Sequence, residues 1–305
     1  MSRAPRALIT GGTGLLGHAL LEAAPSGWEV AATYHCLPPA EAWRGRFHRL
    51  DLRDEAAVAD VLEAVRPDVV IHSASVGSVE QAERDPDAVR AVNVGGTQAI
   101  GRACGRIGAR CVFISSNAVF DGAHPPYREE DPVRAVNRYG AIKIEAERWV
   151  REACPVPWVV IRPILMYGWP HPGGRGNVVT RWLERLERGE AVEVDERLIT
   201  MPLWVGDCSG AIWAAVTRQR TGLYHVAGAD RLSLLTFARR VARVFQGNEA
   251  LIRPASASWL SRFAPRPTDT SFVTRKMEQE LGIRPLGVLE GLAMMHRAQV
   301  AHRGG

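Results

Sequence analysis

The chain of 305 residues lacks the sequence features of several protein classes. No apolar run reaches the roughly 18 residues that a membrane-spanning helix needs. The opening residues, MSRAPRALITGG, lead into a predicted strand too soon for a signal peptide. We therefore expect a cytoplasmic protein without a membrane partner. The net charge is only +5 and the arginines are scattered, so the sequence gives no indication of a nucleic-acid partner.

Cysteine is also scarce. The five cysteines form no CxxC pair and no spacing typical of a zinc site, and their number is odd. We expect them to be reduced and mostly buried, and we predict no metal site. With 46% hydrophobic and 23% charged residues, the chain has the composition of an ordinary globular protein. Its length allows one large domain or two lobes.

Apolar runs alternate with helical patterns through the first half of the chain. Strict alternation of strands and helices predicts parallel strands joined by right-handed crossovers. The expected fold is therefore a Rossmann-type α/β domain, a doubly wound parallel sheet, with a smaller mixed C-terminal substrate lobe. The predicted strands are residues 7–10, 28–34, 68–74, 109–116 and 157–163, and the predicted helices are residues 15–24, 54–65, 88–107 and 138–152.

The pattern loosens after Tyr167, where a turn-rich loop covers residues 168–176. Asp207 is predicted to cap a helix over 208–217. Helices are also expected over 177–188 and 233–245, and strands over 192–194 and 222–227. We assign residues 1–168 with 203–228 to the dinucleotide-binding domain, and residues 169–202 with 229–305 to the substrate-binding lobe.

Glycines follow the first predicted strand at positions 11, 14 and 17. A buried strand that leads through a glycine-rich turn into a helix N-terminus is a phosphate-binding arrangement. The backbone can approach a pyrophosphate there, and the helix supplies free N–H groups. The Gly11-x-x-Gly14-x-x-Gly17 spacing differs from the common dehydrogenase spacing. Alone it is a weak indication of dinucleotide binding, and it becomes stronger together with a second motif downstream.

That second motif is Tyr139-Gly-Ala-Ile-Lys143. The four-residue spacing places both side chains on one helix face, although it also fits a solvated face. A nearby ammonium lowers a tyrosine pKa, which would make Tyr139 a general acid or base on an alcohol/carbonyl pair. Ser116 ends the strand over 110–115, where its hydroxyl could bind a substrate carbonyl oxygen or simply cap the strand.

These segments resemble the extended short-chain dehydrogenases/reductases, and among them most closely the dTDP-4-dehydrorhamnose reductase family. The resemblance covers nearly the whole chain. Its matching segments are Thr10–Gly17, Asp51-Leu52, Val70–Ala74, Ala91–Thr97, Ile114–Gly122, Tyr139-Gly-x-x-Lys143, Arg162-Pro163 and Pro265–Ser271.

The resemblance implies roles for individual residues. Ser116, Tyr139 and Lys143 would be catalytic: Ser116 would polarise the carbonyl, Tyr139 would donate the proton, and Lys143 would hold the ribose and tune Tyr139. The substrate would be contacted by Ser116, Asn117, Ala118, Tyr139 and Asn177. The dinucleotide would be bound by Gly11, Thr13, Gly14, Leu15, Leu16, Gly17, His35, Asp51, Leu52, Ser73, Ala74, Ser75, Tyr139, Lys143, Pro163 and Met166.

One departure from the family pattern concerns the substrate. The reductases usually carry Thr-Asp-Tyr-Val-Phe-Asp-Gly, whereas this chain has Ser116-Asn-Ala-Val-Phe-Asp-Gly122. The pocket should therefore be roomier and less acidic. Sugar-nucleotide dehydratases need Asp-Glu at this place, which Asn117-Ala118 cannot replace. A similar Ser-Asn start occurs in proteins that resemble the methionine adenosyltransferase regulatory subunit.

The cofactor preference rests on the end of the second strand. An acidic residue there would favour NAD. The sequence Thr33-Tyr-His-Cys-Leu37 contains none, and His35 with Arg44 or Arg46 could face a 2′-phosphate. We expect NADP(H) to be preferred, and NAD(H) stays open.

Taken together, the motifs predict NADPH-dependent reduction of a keto group on a nucleotide-activated deoxysugar. A sugar-nucleotide epimerase or another carbonyl reductase of the superfamily is the first alternative. A dinucleotide-binding regulatory subunit is the second. The expected partner is a small molecule, a nucleotide sugar, and a homodimer stays open.

Overall fold

A computed structural model describes residues 3–303, except for the side chains of residues 42–44 and 300–303. Seven parallel strands form the central sheet in the order β11-β6-β5-β4-β1-β2-β3. The predicted doubly wound parallel sheet is confirmed. These strands are β1 Arg6–Thr10, β2 Glu29–Tyr34, β3 Phe47–Arg49, β4 Val69–His72, β5 Arg110–Ile114, β6 Trp158–Pro163 and β11 Gly222–Val226.

Three small two-stranded sheets lie outside the central sheet. They pair β7 Met166–Tyr167 with β10 Leu203–Trp204, β8 Val192–Val194 with β13 Ile252–Pro254, and β9 Ile199–Thr200 with β12 Leu232–Ser233. The helices are α1 Leu15–Glu22, α2 Glu55–Val65, α3 Val79–Arg84, α4 Pro86–Arg90, α5 Gly96–Ile107, α6 Arg138–Ala153, α7 Val178–Glu187, α8 Val205–Thr217, α9 Leu234–Val244, α10 Ala257–Leu260 and α11 Val288–Arg303.

Alternate residues of the central strands face opposite helical layers, as a pleated sheet requires. Leu8 and Val70 pack into the layer of α2 and α5, whereas Ile9 and Ile71 pack into the layer of α1 and α8. Because both faces are covered, the buried positions of these strands are mostly apolar. A separate apolar cluster joins the later elements and includes Val179, Trp182, Phe237, Val241 and Leu292.

The structure differs from the sequence prediction in several elements. The short strand β3 and helices α3 and α11 were not predicted. The predicted helix over 88–107 begins two residues earlier, at the start of α4. A π-helical turn, Ala91–Gly95, joins α4 to α5. The prediction that Asp207 caps a helix was wrong. Helix α8 begins at Val205 after the cap residue Trp204, and the Asp207 carboxylate instead accepts a hydrogen bond from the Leu286 N–H.

Candidate active site

The glycine-rich turn after β1 has a backbone that larger residues could not adopt. Gly11 has a φ of +71°, and a Cβ there would lie 2.9 Å from the Cα of Ala74. A Cβ on Gly17 would lie 2.1 Å from the carbonyl oxygen of Gly11. Both glycines therefore let α1 start directly against the ends of β1 and β4.

The N-terminus of α1 has no side-chain cap. Its N-cap residue is Gly14, which makes no side-chain hydrogen bond. By contrast, seven other helices of the described chain have a capping side chain: Asp54 for α2, Ser78 for α3, Asp85 for α4, Asn137 for α6, Asn177 for α7, Ser233 for α9 and Ser256 for α10. An uncapped N-terminus leaves N–H groups and a partial positive charge for an anionic ligand.

A cavity of about 510 Å³ adjoins this turn. Its walls come from the ends of β1, β2 and β4 and from the segment after β3. Its lining includes nine of the predicted dinucleotide residues: Gly11, Thr13, Gly14, His35, Asp51, Leu52, Ser73, Ala74 and Ser75.

The other predicted dinucleotide residues do not line this cavity. Leu16 is buried in the core beneath α1, and Leu15 packs against the same core. Gly17 is buried at the contact between α1 and the turn. Pro163 ends β6 and Met166 begins β7. Tyr139 and Lys143, both on α6, are likewise outside its lining.

One end of the cavity carries a charged cluster. The Arg53 guanidinium donates to the Asp51 carboxylate, with an Nη2–Oδ2 distance of 2.5 Å, and His35 Nε2 lies 3.6 Å from the same carboxylate. The hydrogen bonds from Arg53 hold the pKa of Asp51 well below its usual range. Arg53 was not among the predicted dinucleotide residues, although its position two residues after Asp51 could have indicated it.

The role considered for Arg46 is not supported. Arg46 lines a different cavity with Arg6 and Glu29, at the edge where the strands begin. Strand β3 runs parallel to β2, and its first residue, Phe47, lies opposite Ala32. Arg46 precedes this pair, so it lies toward the edge where the strands begin and not toward the edge where they end. The side chain of Arg44 lies outside the described residues.

Beneath the cavity, buried polar side chains fix the strand ends. His72 Nδ1 lies 2.8 Å from the Thr10 hydroxyl, and His72 Nε2 lies 3.2 Å from the Thr97 hydroxyl. The Asn93 amide pairs with both backbone groups of Val76. These contacts give His72 and Asn93 structural roles.

Ser116, Tyr139 and Lys143 meet beside the end of β5. The Tyr139 hydroxyl lies close enough to the Ser116 hydroxyl to affect its pKa. The Ser116 hydroxyl also accepts the Ala118 N–H at 3.1 Å. Lys143 is buried and its Nζ donates to the carbonyl oxygen of Ile114 at 3.0 Å. The helix spacing thus brings one hydroxyl pair and one ammonium to the edge where the strands end.

The direction of the Tyr139 pKa differs from the sequence expectation. Burial raises the pKa of Tyr139 to about 12, and the hydrogen bond from Ser116 offsets this only in part. Burial also lowers the pKa of Lys143 to about 8, against an opposing effect of Glu147. A protonated tyrosine is therefore the form that this arrangement favours near neutral pH.

The predicted substrate residues have mixed positions. Asn117 lies next to Ser116, and its amide donates to the Thr270 hydroxyl at 2.6 Å, which links β5 to the chain near residue 270. Ala118 follows in the same turn. The Asn177 amide caps α7 and donates to the Gly168 carbonyl at 2.6 Å, so its polar atoms are already used.

A second cavity, of about 500 Å³, lies between α7, β8 and the segment around α10. Aromatic side chains of Trp182, Trp259 and Phe263 line it, together with the guanidinium groups of Arg181 and Arg266. Arg266 pairs with Glu80 of α3 at 2.5 Å. Sequence reasoning missed this cavity because its walls come from segments that are far apart in the chain.

Among the residues that the structure describes, no group of three His, Cys, Asp or Glu side chains is placed to hold a metal ion. Within the same part of the chain, every helix is too short or too polar to cross a membrane.

Comparisons with known proteins agree with this geometry. The family model described as "RmlD substrate binding domain" matches residues 5–299. A dTDP-4-dehydrorhamnose reductase from Streptomyces griseus is 31% identical over 92% of this chain and 90% of its own length. The methionine adenosyltransferase 2 subunit beta from Xenopus laevis is 28% identical over 90% of this chain and 82% of its own length.

A solved structure has the same architecture. The dTDP-4-dehydrorhamnose reductase from Bacillus anthracis, in complex with NADP, superimposes with a TM-score of 0.84 at 25% identity. The match covers 96% of this chain and 99% of that one.

Proposed function

The chain belongs to the RmlD substrate-binding-domain family of extended short-chain dehydrogenases/reductases, and we propose that it reduces a keto group on a nucleotide-activated deoxysugar with NADPH. The family match and the doubly wound sheet confirm the resemblance inferred from the motifs. The oxidoreductase class agrees with the reductases among its relatives. The substrate, the role of Tyr139 and the preference for NADPH are our proposal.

The observation that carries the proposal is that the Tyr139 and Ser116 hydroxyls lie near each other at the end of β5, where the buried Lys143 is held by the Ile114 carbonyl. Two neighbouring hydroxyls can act on one substrate oxygen. A core-packing role would not need an ammonium next to them. The arrangement therefore fits proton transfer to a carbonyl oxygen.

The residues present fit a dinucleotide. The uncapped N-terminus of α1 suits its pyrophosphate, and the cavity beside it suits the adenosine half. When bound, a reduced nicotinamide supplies hydride for the keto carbon. The Ser116 hydroxyl would donate a hydrogen bond to the substrate oxygen, and Tyr139 would deliver the proton to it. Lys143 would hold the ribose and stabilise the Tyr139 phenolate that results.

The second cavity supports a nucleotide sugar as substrate. Aromatic rings such as Trp259 and Phe263 can stack on a base, and the Arg181 and Arg266 guanidinium groups, which are bonded to the Gly176 carbonyl and to Glu80, could pair with a diphosphate instead. We further propose that residues 169–202 with 229–305 form the substrate-binding lobe and that 1–168 with 203–228 bind the dinucleotide. The apolar cluster of α7, α9 and α11 supports this division.

A regulatory subunit is the second candidate. The observation in its favour is the similarity to relatives named methionine adenosyltransferase 2 subunit beta. Such a subunit would bind a dinucleotide and a protein partner without turnover. A sugar-nucleotide epimerase would also use Ser116, Tyr139 and Lys143, but it would retain its cofactor and show no net consumption of it.

The test follows NADPH absorbance with a panel of keto-sugar nucleotides, dTDP-4-dehydrorhamnose included. We expect NADPH consumption with at least one of them and a reduced sugar nucleotide as product. Isomerised sugar without NADPH loss would indicate an epimerase. No turnover of any keto sugar, together with tight dinucleotide binding, would favour the regulatory subunit.

A further inference from the structure

Helix α6 carries a second buried charge one turn after Lys143. Glu147 is 2% exposed and forms an ion pair with the fully buried Arg162 of β6. The Nη2–Oε2 distance is 2.6 Å, and Nε of Arg162 lies 2.9 Å from Oε1. The Ser115 hydroxyl also donates to Oε1. One carboxylate therefore joins α6, the end of β5 and β6.

Stability alone does not account for this ion pair. The cost of removing two charges from water offsets most of their attraction, and well-packed apolar residues often stabilise a core as much or more. The position of the pair points to the active site instead. Ser115 precedes Ser116, and Glu147 lies four residues after Lys143 on the same helix face.

The surroundings of Lys143 leave its charge dependent on Glu147. The ammonium lies over the Phe113 ring, 5.1 Å from its centre, and donates to a carbonyl of β5. His72 of β4 is fully buried beside it and its pKa falls to about 3, so it is neutral. Arg162 of β6 is a cation. Among the described groups around Lys143, the carboxylate that favours its protonated form is that of Glu147.

We propose that Glu147 is a positioning residue of this site, whose carboxylate, fixed by Arg162 and Ser115, keeps Lys143 protonated and holds the end of β5 against α6. The proposal rests on the proposed function for its catalytic meaning, since Lys143 must be charged to stabilise the Tyr139 phenolate. Arg162 has the matching task of pairing with this carboxylate inside the core.

The sequence makes a direct test feasible. Lys143 and Lys276 are the two lysines of the whole chain. In protein labelled with isotopic lysine, NMR therefore gives two side-chain signals, and Lys276→Arg assigns them. The pKa of Lys143 can be measured by titration in wild-type protein and in Glu147→Gln, without any need for turnover.

Glu147→Gln leaves Arg162 unpaired in the core, so a second variant, Glu147→Gln/Arg162→Met, removes both charges. We expect the pKa of Lys143 to fall by about one unit or more in each folded variant. Glu145→Gln is the matched control: Glu145 also lies on α6, but it is exposed and paired with Arg90. The pKa of Lys143 should not change in this control.

A folded double variant whose Lys143 pKa equals that of wild type would overturn the proposal and leave the pair a structural role. Kinetics provide an independent readout. If the reductase function holds, kcat should fall at pH 7 while KM for the sugar nucleotide stays within about twofold. If the variants lower the pKa of Lys143 but the wild-type protein has no reductase activity, the proposed function is contradicted. The positioning role of Glu147 then still holds.

Discussion

Gly140 of α6 lies directly against the carbonyl oxygen of Ala118: a Cβ on Gly140 would be 2.1 Å from that oxygen. This approach brings the first turn of α6 onto the segment that follows β5. Tyr139 precedes Gly140 and Ser116 lies two residues before Ala118, so this approach brings the two hydroxyls near each other.

Gly140→Ala should therefore separate Tyr139 from Ser116. The added methyl group must push the backbones apart, since the atom it meets belongs to the main chain. We expect a loss of keto-sugar reduction of at least tenfold and a lower melting temperature. Gly95→Ala is the control, because Gly95 is also helical and has open space around its Cβ position. Equal activity of the two variants would contradict the role of this contact.

Gly14→Asp should abolish dinucleotide binding without unfolding the protein. Gly14 is the N-cap residue of α1 and has no side chain to cap the helix, whereas Asp is a favourable N-cap residue. Its carboxylate would occupy the free N–H groups and repel a pyrophosphate. Calorimetry should show affinity reduced by at least 100-fold, with an unchanged or higher melting temperature. NADPH binding at wild-type affinity would place the cofactor elsewhere.

The choice between NADPH and NADH should depend on His35 and Arg53. Both lie beside Asp51 at one end of the cavity, and a 2′-phosphate there would gain a charge-assisted hydrogen bond from each. We expect Arg53→Ala to weaken NADPH binding by about 10-fold or more while NADH binding changes little. Arg46→Ala, at the opposite edge of the sheet, should change neither affinity. Equal affinities of the wild type for the two cofactors would exclude a phosphate site here.

The central sheet could be predicted because its signal is local. Each strand is a continuous apolar run, and each crossover helix repeats its apolar residues at helical spacing. The strand β3 was missed because three residues, Phe47–Arg49, are too few to show a period. Helix α3 is six residues long and was missed for the same reason.

The candidate active site could also be predicted only where its signal is local. Gly14, Ser116 and the Tyr139–Lys143 pair belong to short motifs, so the sequence alone could single them out. The contacts that join distant segments could not be found in this way. The Arg266–Glu80 pair, the bond from Asn117 to Thr270, and the ion pair of Glu147 and Arg162 exist only once the fold brings separate segments together.

His225 should make the protein sensitive to acid. Arg162 can only donate hydrogen bonds, so His225 Nε2, 3.2 Å away, must be unprotonated, and Nδ1 then donates to the Tyr127 carbonyl. Burial and Arg162 lower the pKa of His225 to about 3. The unfolded chain binds the proton more readily, so this contribution to stability is present above about pH 6.5 and decreases as the pH falls toward 3.

We therefore expect the denaturation midpoint of the wild type to fall between pH 7 and pH 5. His225→Asn, which does not titrate, should show a smaller decrease over that interval. His124→Asn, at an exposed position, serves as the control and should behave like the wild type. An equal decrease in the His225→Asn variant would assign the acid sensitivity to other groups, such as the buried His72.

The final prediction concerns the proton donor. Tyr139→Phe keeps the ring and removes only the hydroxyl near Ser116, so the fold should persist. The rate of keto-sugar reduction should fall by roughly 10²–10⁴-fold, the usual effect of removing a positioned acid.

Ser116→Ala should also slow turnover, and the two losses should not add because both hydroxyls act on one oxygen. Binding of NADPH should persist in both variants, whereas Lys143→Ala should impair binding and turnover together. A Tyr139→Phe protein that reduces its substrate at the wild-type rate would refute the mechanism.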